Sequence, residues 1–331
     1  MYIFGIADPH TLGENEFILE KQLLEGTGIE LRTYSCYSEE DVIKQMAECD
    51  YCGVVSVPFT RRVIENLPKC KGIFRYGIGV DNIDLQAASE NGIAVCYEPK
   101  YCVEDVAALG FALLLGLSRK TVLLDRNIRK GLWGFKAGYE SHRLQGKVLG
   151  LLGFGNIGKR LREMVKIFDM QVIAYDPFLS DQEAQQYHIN KVKLNQLLEQ
   201  SDFLSVHCPL TEETRHMLSE EQFKIMKPTA HLINTSRGGI VDTQALVEAL
   251  RNKEICGAAL DVHEKEPVPA DHPLCQMEQV ILTPHSGFYT EEAFITLREN
   301  IVKQVAALSK EEKPIYIINP QVLESRNPKA L

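Results

Sequence analysis

An arginine, a glutamate and a histidine near the end of this chain each follow a short apolar run and open a loop. Arg237 lies in NTSRGG, Glu266 in LDVHEKEP and His285 in TPHSG. A guanidinium fork matches a carboxylate bidentately and can polarise an adjacent carbonyl. A carboxylate beside an imidazole stabilises its protonated form, and such a histidine donates to a ketone oxygen or takes a hydroxyl proton. Taken one at a time, each residue has an ordinary reading. Arg237 is then a surface partner of Asp242, His285 a structural histidine and Glu266 one more solvated acid. Together they follow strands of one series, on the edge where ligands bind in open α/β sheets. That set fits movement of a hydride on or off a small carboxylate-bearing molecule, with Arg237 also stabilising the developing oxyanion.

Upstream, Gly153-Phe154-Gly155-Asn156-Ile157-Gly158 follows a clean apolar strand and opens a helix ending near Phe168. The first glycine allows a tight turn, the second lets backbone approach a pyrophosphate, and the third lets helix pack on strand. The helix N-terminus offers N–H groups and a positive dipole end to phosphates. Asp176 ends the next strand, 18 residues beyond Gly158. An acid there accepts from ribose hydroxyls and repels a 2′-phosphate, so NAD is favoured over NADP. The alternative is an unliganded turn with Asp176 as a loop acid. Asp261 reads either as a contact to the nicotinamide carboxamide or as a core cap. Further upstream, Arg75-Tyr-Gly77-Ile78-Gly79 reads as an anion-binding nest for a substrate carboxylate, or as a simple turn before the N-cap Asp84.

These residues need strand ends to stand on. Short apolar strands alternate with amphipathic helices, which implies parallel sheets covered on both faces. A first series runs YIFGIA, IELRTY, YCGVVSV, GIFRYGI and GIAVCY, with helices such as Glu14–Leu24 and Leu85–Asn91 between strands. A buried helix is expected from Val103 to Arg119. A second series runs VLGLLG, QVIAYD, FLSVHC, HLINTS, ICGAALDV and QVILTP. A helix from about Glu291 to Leu308 follows, and EEKPIYIINP reads as a return to the first domain. The fold class is therefore α/β: two doubly wound parallel-sheet domains of Rossmann and flavodoxin type, the nucleotide domain inserted into the substrate domain. The expected boundaries are 1–99 plus 297–331 for substrate and 100–296 for nucleotide, with substrate held between them.

Composition narrows the class further. Over 331 residues the formal net charge is −9, which disfavours nucleic-acid binding. No run is long and apolar enough to span a membrane. Nine cysteines are scattered without a disulfide framework, and no export signal is read at the start, so a cytoplasmic location is expected. Cys49 and Cys52 form a lone CxxC, read as ordinary half-buried thiols rather than a redox or zinc site. No metal is called for.

GIGVDNID, GFGNIG, the YDP at Asp176, HCPLTEETRHML, SRGGIVD, GAALDVHEKEP and TPHSGFY, in this order, resemble the D-isomer-specific 2-hydroxyacid dehydrogenase family from about Tyr51 to Pro320. The resemblance implies Arg237 as the substrate-binding arginine, Glu266 as the partner of the acid/base His285, and the main chain at Ile78 and Gly79 on the carboxylate. It extends the cofactor contacts to Pro177, Cys208, Pro209, Thr214, Thr235, Ser236, Arg237, His285 and Gly287, and implies a homodimer formed through the nucleotide domain. Arg75 and Phe288 complete the expected substrate set. Within the family, RYGIGVDNID, DPFLSD and ALDVHEKEP look most like bacterial proteins similar to the C-terminal-binding-protein branch. Leu109 stands where many members carry histidine, and Val54–Thr60 lacks the Arg-Ser pair of the phosphoglycerate dehydrogenases. The expected activity is NAD-dependent interconversion of a 2-oxo acid and a D-2-hydroxy acid. Candidate substrates are 3-phosphoglycerate, glyoxylate or hydroxypyruvate, D-lactate, or a larger apolar acid. A binding protein that senses NAD(H) is the alternative from a different class.

Overall fold

Runs rich in Val, Ile, Leu and aromatic residues form the strands, and every ladder between them is parallel. The computed structural model describes residues 1–12 and 17–326. The start of the helix expected at Glu14 lies outside the described residues. The chain divides into two units, Met1–Tyr101 with Thr290 onward, and Cys102–Tyr289. The second crossing thus falls seven residues before the expected 296/297 boundary. The helix Glu291–Ser309 explains this, because it packs along its length on the first unit's β4 and on the helix Ile18–Leu24.

In the first unit the strands are β1 (Tyr2–Ile6), β2 (Ile29–Thr33), β3 (Tyr51–Val54), β4 (Gly72–Arg75) and β5 (Ala94–Cys96), in the order β2-β1-β3-β4-β5. This is the flavodoxin-type doubly wound order. Phe4, Tyr51 and Phe74 meet edge to face, with centroid separations of 5.9 and 6.1 Å to Phe74. Leu297, Ile301 and Val305 of the helix Glu291–Ser309 belong to the same core. Arg298 of that helix holds the fully buried Glu20 bidentately at 2.7 and 2.6 Å. Asp84 caps the helix Leu85–Glu90 through the Ala87 N–H at 2.7 Å. The C-terminal segment returns here as expected: Ile317 bridges Cys96, and Asn319 accepts from the Val95 N–H at 2.8 Å.

The second unit holds β6 (Val148–Leu152), β7 (Gln171–Tyr175), β8 (Asn190–Lys191), β9 (Phe203–Val206), β10 (His231–Asn234), β11 (Gly257–Leu260) and β12 (Val280–Leu282). Their order is β12-β11-β10-β9-β6-β7-β8. The order reverses between β6 and β9, and the carboxyl ends of that pair form the topological switch point. All four residues of β9, β10 and β11 are buried, as sheets covered on both faces require. The helix Val103–Arg119 packs against β10, β11, β12 and the helix Asn156–Val165. Among the described residues no single helix is long and apolar enough to cross a membrane.

Three elements depart from the sequence expectation. β3 ends at Val54 although the apolar run continues to Val57, because Asp8 takes the next three backbone N–H groups. β8 has two exposed residues and so carries no apolar signal. A second helix, Thr121–Arg129, fills part of the stretch before Trp133 and meets the Val103–Arg119 helix at a 63° bend.

Candidate active site

The histidine sits in strained backbone. His285 has φ +54°, the left-handed region that side-chain-bearing residues rarely occupy. Asp261, 1% exposed at the end of β11, over-determines this turn. Its carbonyl accepts from the His285 N–H at 2.7 Å. Its carboxylate accepts from Ser286 N–H and Gly287 N–H, each at 2.9 Å, and from the Thr283 hydroxyl at 2.6 Å. A Cβ on Gly287 would stand 2.9 Å from that carboxylate, so only glycine lets the turn close on it. Asp261 thus grips the loop that carries His285, as its core-cap reading requires.

Glu266 bridges two loops. Its Oε2 meets His285 Nδ1 at 2.9 Å and its Oε1 accepts from the His263 N–H at 2.8 Å. Burial pushes its carboxyl up, but the bonds from His285 and His263 and their positive charge outweigh this and hold it below the usual range. An ionised Glu266 fixes the proton on Nδ1 and leaves Nε2 for chemistry. His263 Nε2 contacts the Thr283 carbonyl at 3.0 Å, which ties the Glu266 loop to the end of β12.

Arg237 opens the turn after β10. Asn234 spans this turn, donating to the Arg237 carbonyl at 2.9 Å and accepting from the Ser236 N–H at 3.0 Å. Gly238 follows, and a Cβ there would lie 2.0 Å from the His263 carbonyl carbon. The RGG sequence thus lets the Arg237 turn and the Glu266 loop pass in backbone contact. Phe288 stands edge-on to His285 at 6.4 Å. Sequence reasoning missed Asn234, Gly238 and His263 as positioning residues. The glycine beside Arg237 was the available signal.

The dinucleotide elements gather at the switch point. Gly153 has φ +95°, and a Cβ on it would meet the Cys208 nitrogen at 2.7 Å, so the turns after β6 and β9 touch only through glycine. A Cβ on Gly158 would meet the Gly153 carbonyl at 3.0 Å, while around Gly155 there is open space at the start of the helix Asn156–Val165. Asn156 and Ile157 form that helix's first turn. Asp176 and Pro177 follow β7, and the Asp176 carboxylate accepts from Phe154 N–H and Phe178 N–H, each at 2.8 Å. A carboxylate has about four acceptor positions, so room for ribose hydroxyls remains. Cys208, its thiol pushed up to about 12 by burial, and Pro209 follow β9, and Thr214 closes that turn on the Pro209 carbonyl at 2.7 Å. Ser236 donates to the Cys208 carbonyl, and the Thr235 hydroxyl is buried without a partner among the described residues. An open glycine cradle, a helix N-terminus, a strand-end acid and an unmatched hydroxyl are what a bound dinucleotide requires.

In the first unit, Gly77 has φ +150°, and a Cβ on it would collide with the Arg75 guanidinium. The N–H groups of Ile78 and Gly79 donate to no acceptor among the described residues. Cys49 and Cys52 are fully buried, Cys52 lies 3.8 Å from Cys70, and no metal-holding cluster occurs among the described residues.

Fold and site together define an α/β oxidoreductase that uses a nicotinamide dinucleotide. Residues 111–287 match the model of the D-isomer specific 2-hydroxyacid dehydrogenase NAD binding domain. The chain is 37% identical over 298 residues to a glyoxylate reductase of Korarchaeum cryptofilum, covering 88% of this chain and 89% of the relative. It is also 37% identical to a D-3-phosphoglycerate dehydrogenase of Methanocaldococcus jannaschii, covering 90% of this chain and 57% of that protein. The crystal structure of D-lactate dehydrogenase from Aquifex aeolicus complexed with NAD and lactic acid superposes with a TM-score of 0.85 at 27% identity, covering 96% and 99% of the two chains. This chain belongs to the D-isomer specific 2-hydroxyacid dehydrogenase family, and its cofactor is NAD.

Proposed function

We propose that this enzyme reduces a small, unphosphorylated 2-oxo acid of the glyoxylate or hydroxypyruvate type to the D-2-hydroxy acid. The pair of His285 Nδ1 and Glu266 Oε2 at 2.9 Å carries this reading, because it engages Nδ1 and leaves Nε2 for proton transfer, on a loop fixed by Asp261. NADH, when bound, supplies the hydride. Arg237 binds the substrate carboxylate and steadies the charge that develops on the ketone oxygen. His285 gives that oxygen its proton, and Glu266 stabilises the imidazolium before the transfer. The Ile78 and Gly79 N–H groups are the second carboxylate contact, and Phe288 borders the substrate group on the far side of the carbonyl. Relatives named glyoxylate reductase support the substrate class. The NAD(H)-sensing alternative is not favoured, since a sensor has no need of the Glu266–His285 pair.

The test is NADH oxidation, followed by nicotinamide absorbance, over glyoxylate, hydroxypyruvate, 3-phosphohydroxypyruvate, pyruvate and a phenyl-bearing 2-oxo acid. Fast turnover of the first two, abolished in Arg237→Ala and His285→Ala with NADH affinity kept, is expected. Silence across the panel with intact NADH binding would sink the reading.

We further propose a cytosolic homodimer formed through the nucleotide unit. Ile128, Leu132, Trp133 and Phe135 expose 52, 56, 93 and 81% of their surface on one segment of that unit, an apolar patch that association would cover. All nine cysteines are free, as a reducing compartment allows. Sedimentation equilibrium should return twice the chain mass, and Trp133→Glu should return the monomer. A wild-type monomer would refute the dimer, and recovery in a membrane or secreted fraction would refute the location.

A further inference from the structure

The loop that carries Glu266 bears a second carboxylate, and the reaction above makes no use of it. Glu264 lies two residues before Glu266. Its Oε1 meets His216 Nε2 at 2.6 Å, and its Oε2 accepts from the Thr243 N–H at 3.1 Å. Burial pushes its carboxyl up, but the bonds from Thr243 and His216 outweigh this and hold it below the usual range. Thr243 opens the helix Thr243–Arg251, whose Ala245 N–H is capped by Asp242 at 3.0 Å. An ionised Glu264 adds a second acid at the positive end of that helix.

Both partners belong to other strand-end loops. Thr243 continues the turn after β10 that contains Arg237. His216 lies in the loop after β9, in backbone with φ +49°, and its N–H donates to the Gly239 carbonyl at 2.9 Å. Leu218 N–H then donates to the Ile240 carbonyl at 3.1 Å, and Asp242 N–H to the Leu218 carbonyl at 2.9 Å. The β9 loop and the Arg237 turn are therefore one backbone-bonded block, and Glu264 is anchored to both halves of it. β9, β10 and β11 are neighbours in the sheet, so a single side chain spans three adjacent strand ends. The close approach at Gly238 permits contact between the Arg237 turn and the Glu266 loop, whereas charge-assisted bonds to Glu264 draw the two together.

We propose that Glu264 is a positioning residue that holds the Glu266 loop in register with the Arg237 turn, so that the carboxylate-binding fork and the proton-transferring imidazole keep a fixed separation. The inference rests on Arg237, Glu266 and His285 acting as set out above. Glu266 reaches forward to His285 after β12, while Glu264 reaches back to the loops after β9 and β10. A loop released at Glu264 lets Glu266 drift from Nδ1. Neutral His216 with its proton on Nε2 donates to a carboxylate as the cation does, so the tie needs no charged histidine. The Glu264 and His216 side chains keep 34 and 42% of their exposure, and such pairs add little to stability. The tie acts on geometry.

The experiment measures kcat with the 2-oxo acid turned over fastest in the panel above, NADH affinity and melting temperature. Glu264→Ala should lower kcat about tenfold, since displacements near 1 Å at reacting groups suffice for that, while NADH affinity stays within about twofold. Its melting temperature should fall by no more than about 4 °C. Glu264→Gln should bring kcat back to within about threefold of wild type, because the amide oxygen accepts from Thr243 and the amide N–H donates to His216 Nε2. His216→Ala keeps the Thr243 bond and should lower kcat about threefold, which decides the matter if Glu264→Ala does not fold. In a Glu266→Ala background, Glu264→Ala should add less than about twofold, because the residue it positions is gone. Unchanged kcat in Glu264→Ala and His216→Ala, a matching loss of NADH affinity, or the full loss repeated in the Glu266→Ala background would overturn the positioning role. Wild-type silence on the panel, or wild-type turnover in Glu266→Ala, would instead overturn the functional reading beneath it.

Discussion

Asp261 and Asp8 are the same device in two sheets with different cargo. Each sits past the end of one strand and binds amides of the loop after the neighbouring strand, β12 in one case and β3 in the other. In the second unit the gripped loop carries His285, so the carboxylate positions chemistry. In the first the gripped loop is Val-Ser-Val-Pro, with no reactive group, so the carboxylate positions shape. Asp176, only half-buried, makes a lesser version of the contact, holding Phe154 N–H across β6 and β7. A doubly wound sheet leaves its loops to be ordered from below, and a buried acid next door does so without using any part of the loop itself.

The contrast can be broken hardest at Gly238, where the second unit relies on backbone contact instead of a carboxylate. Gly238→Ala puts a methyl 2.0 Å from the His263 carbonyl carbon. We expect kcat/KM to fall by at least about a hundredfold, since displacements near 1 Å at reacting groups have that effect. Steady-state kinetics with a melting curve checks it, and near-wild-type activity would refute the coupling of the two loops. Asp261→Asn should come next, lowering kcat about tenfold while NADH affinity holds within about twofold. Loss of NADH affinity at unchanged kcat would instead favour the nicotinamide-contact reading of Asp261.

The smallest effect concerns stability. Of the nine histidines only His10 lies in the first unit. Burial lowers His207 and His231, both in the second unit, to about 4. Their stability contribution is complete above the unfolded-state value near 6.5 and is lost as pH falls from there to about 4, because the unfolded chain binds the extra protons. Each contributes at most about 3 kcal/mol by this linkage. Melting temperature should therefore drop between pH 6.5 and 4, and His231→Phe, which keeps the stack on Phe203, should flatten the slope. An unaltered slope in that variant would remove His231 from the account.

The chemistry of this chain was more legible than the support beneath it. The glycine fingerprint, Asp176 and each member of the strand-end trio sit in short contiguous runs that local reading can pick out, although Glu266 meets His285 across 19 residues and Asp176 meets Phe154 across 22. Asp8 and its amide partners lie 47 to 49 residues apart, so no local pattern reveals them. The same long-range bonds explain the overextended β3: VVSV has strand character, and only a distant acid withdraws its amides from the ladder. β8 failed for the opposite reason, since Asn190–Lys191 pairs with β7 by backbone alone. Gly238 was visible as a residue, but not the chain it touches.

The helix Glu291–Ser309 imposes an order on biosynthesis. It supplies Leu297, Ile301, Val302, Val305 and Leu308 to the core around Phe4 and Phe74, and Arg298 to the buried Glu20. These residues leave the ribosome only after the whole nucleotide unit has been made. The five-stranded sheet is therefore translated first and completed last, while the inserted unit has its full sequence earlier and can fold as a unit. Until then one face of the nascent sheet lacks its apolar cover and Glu20 lacks its cation, which makes that intermediate the species a holdase chaperone would meet.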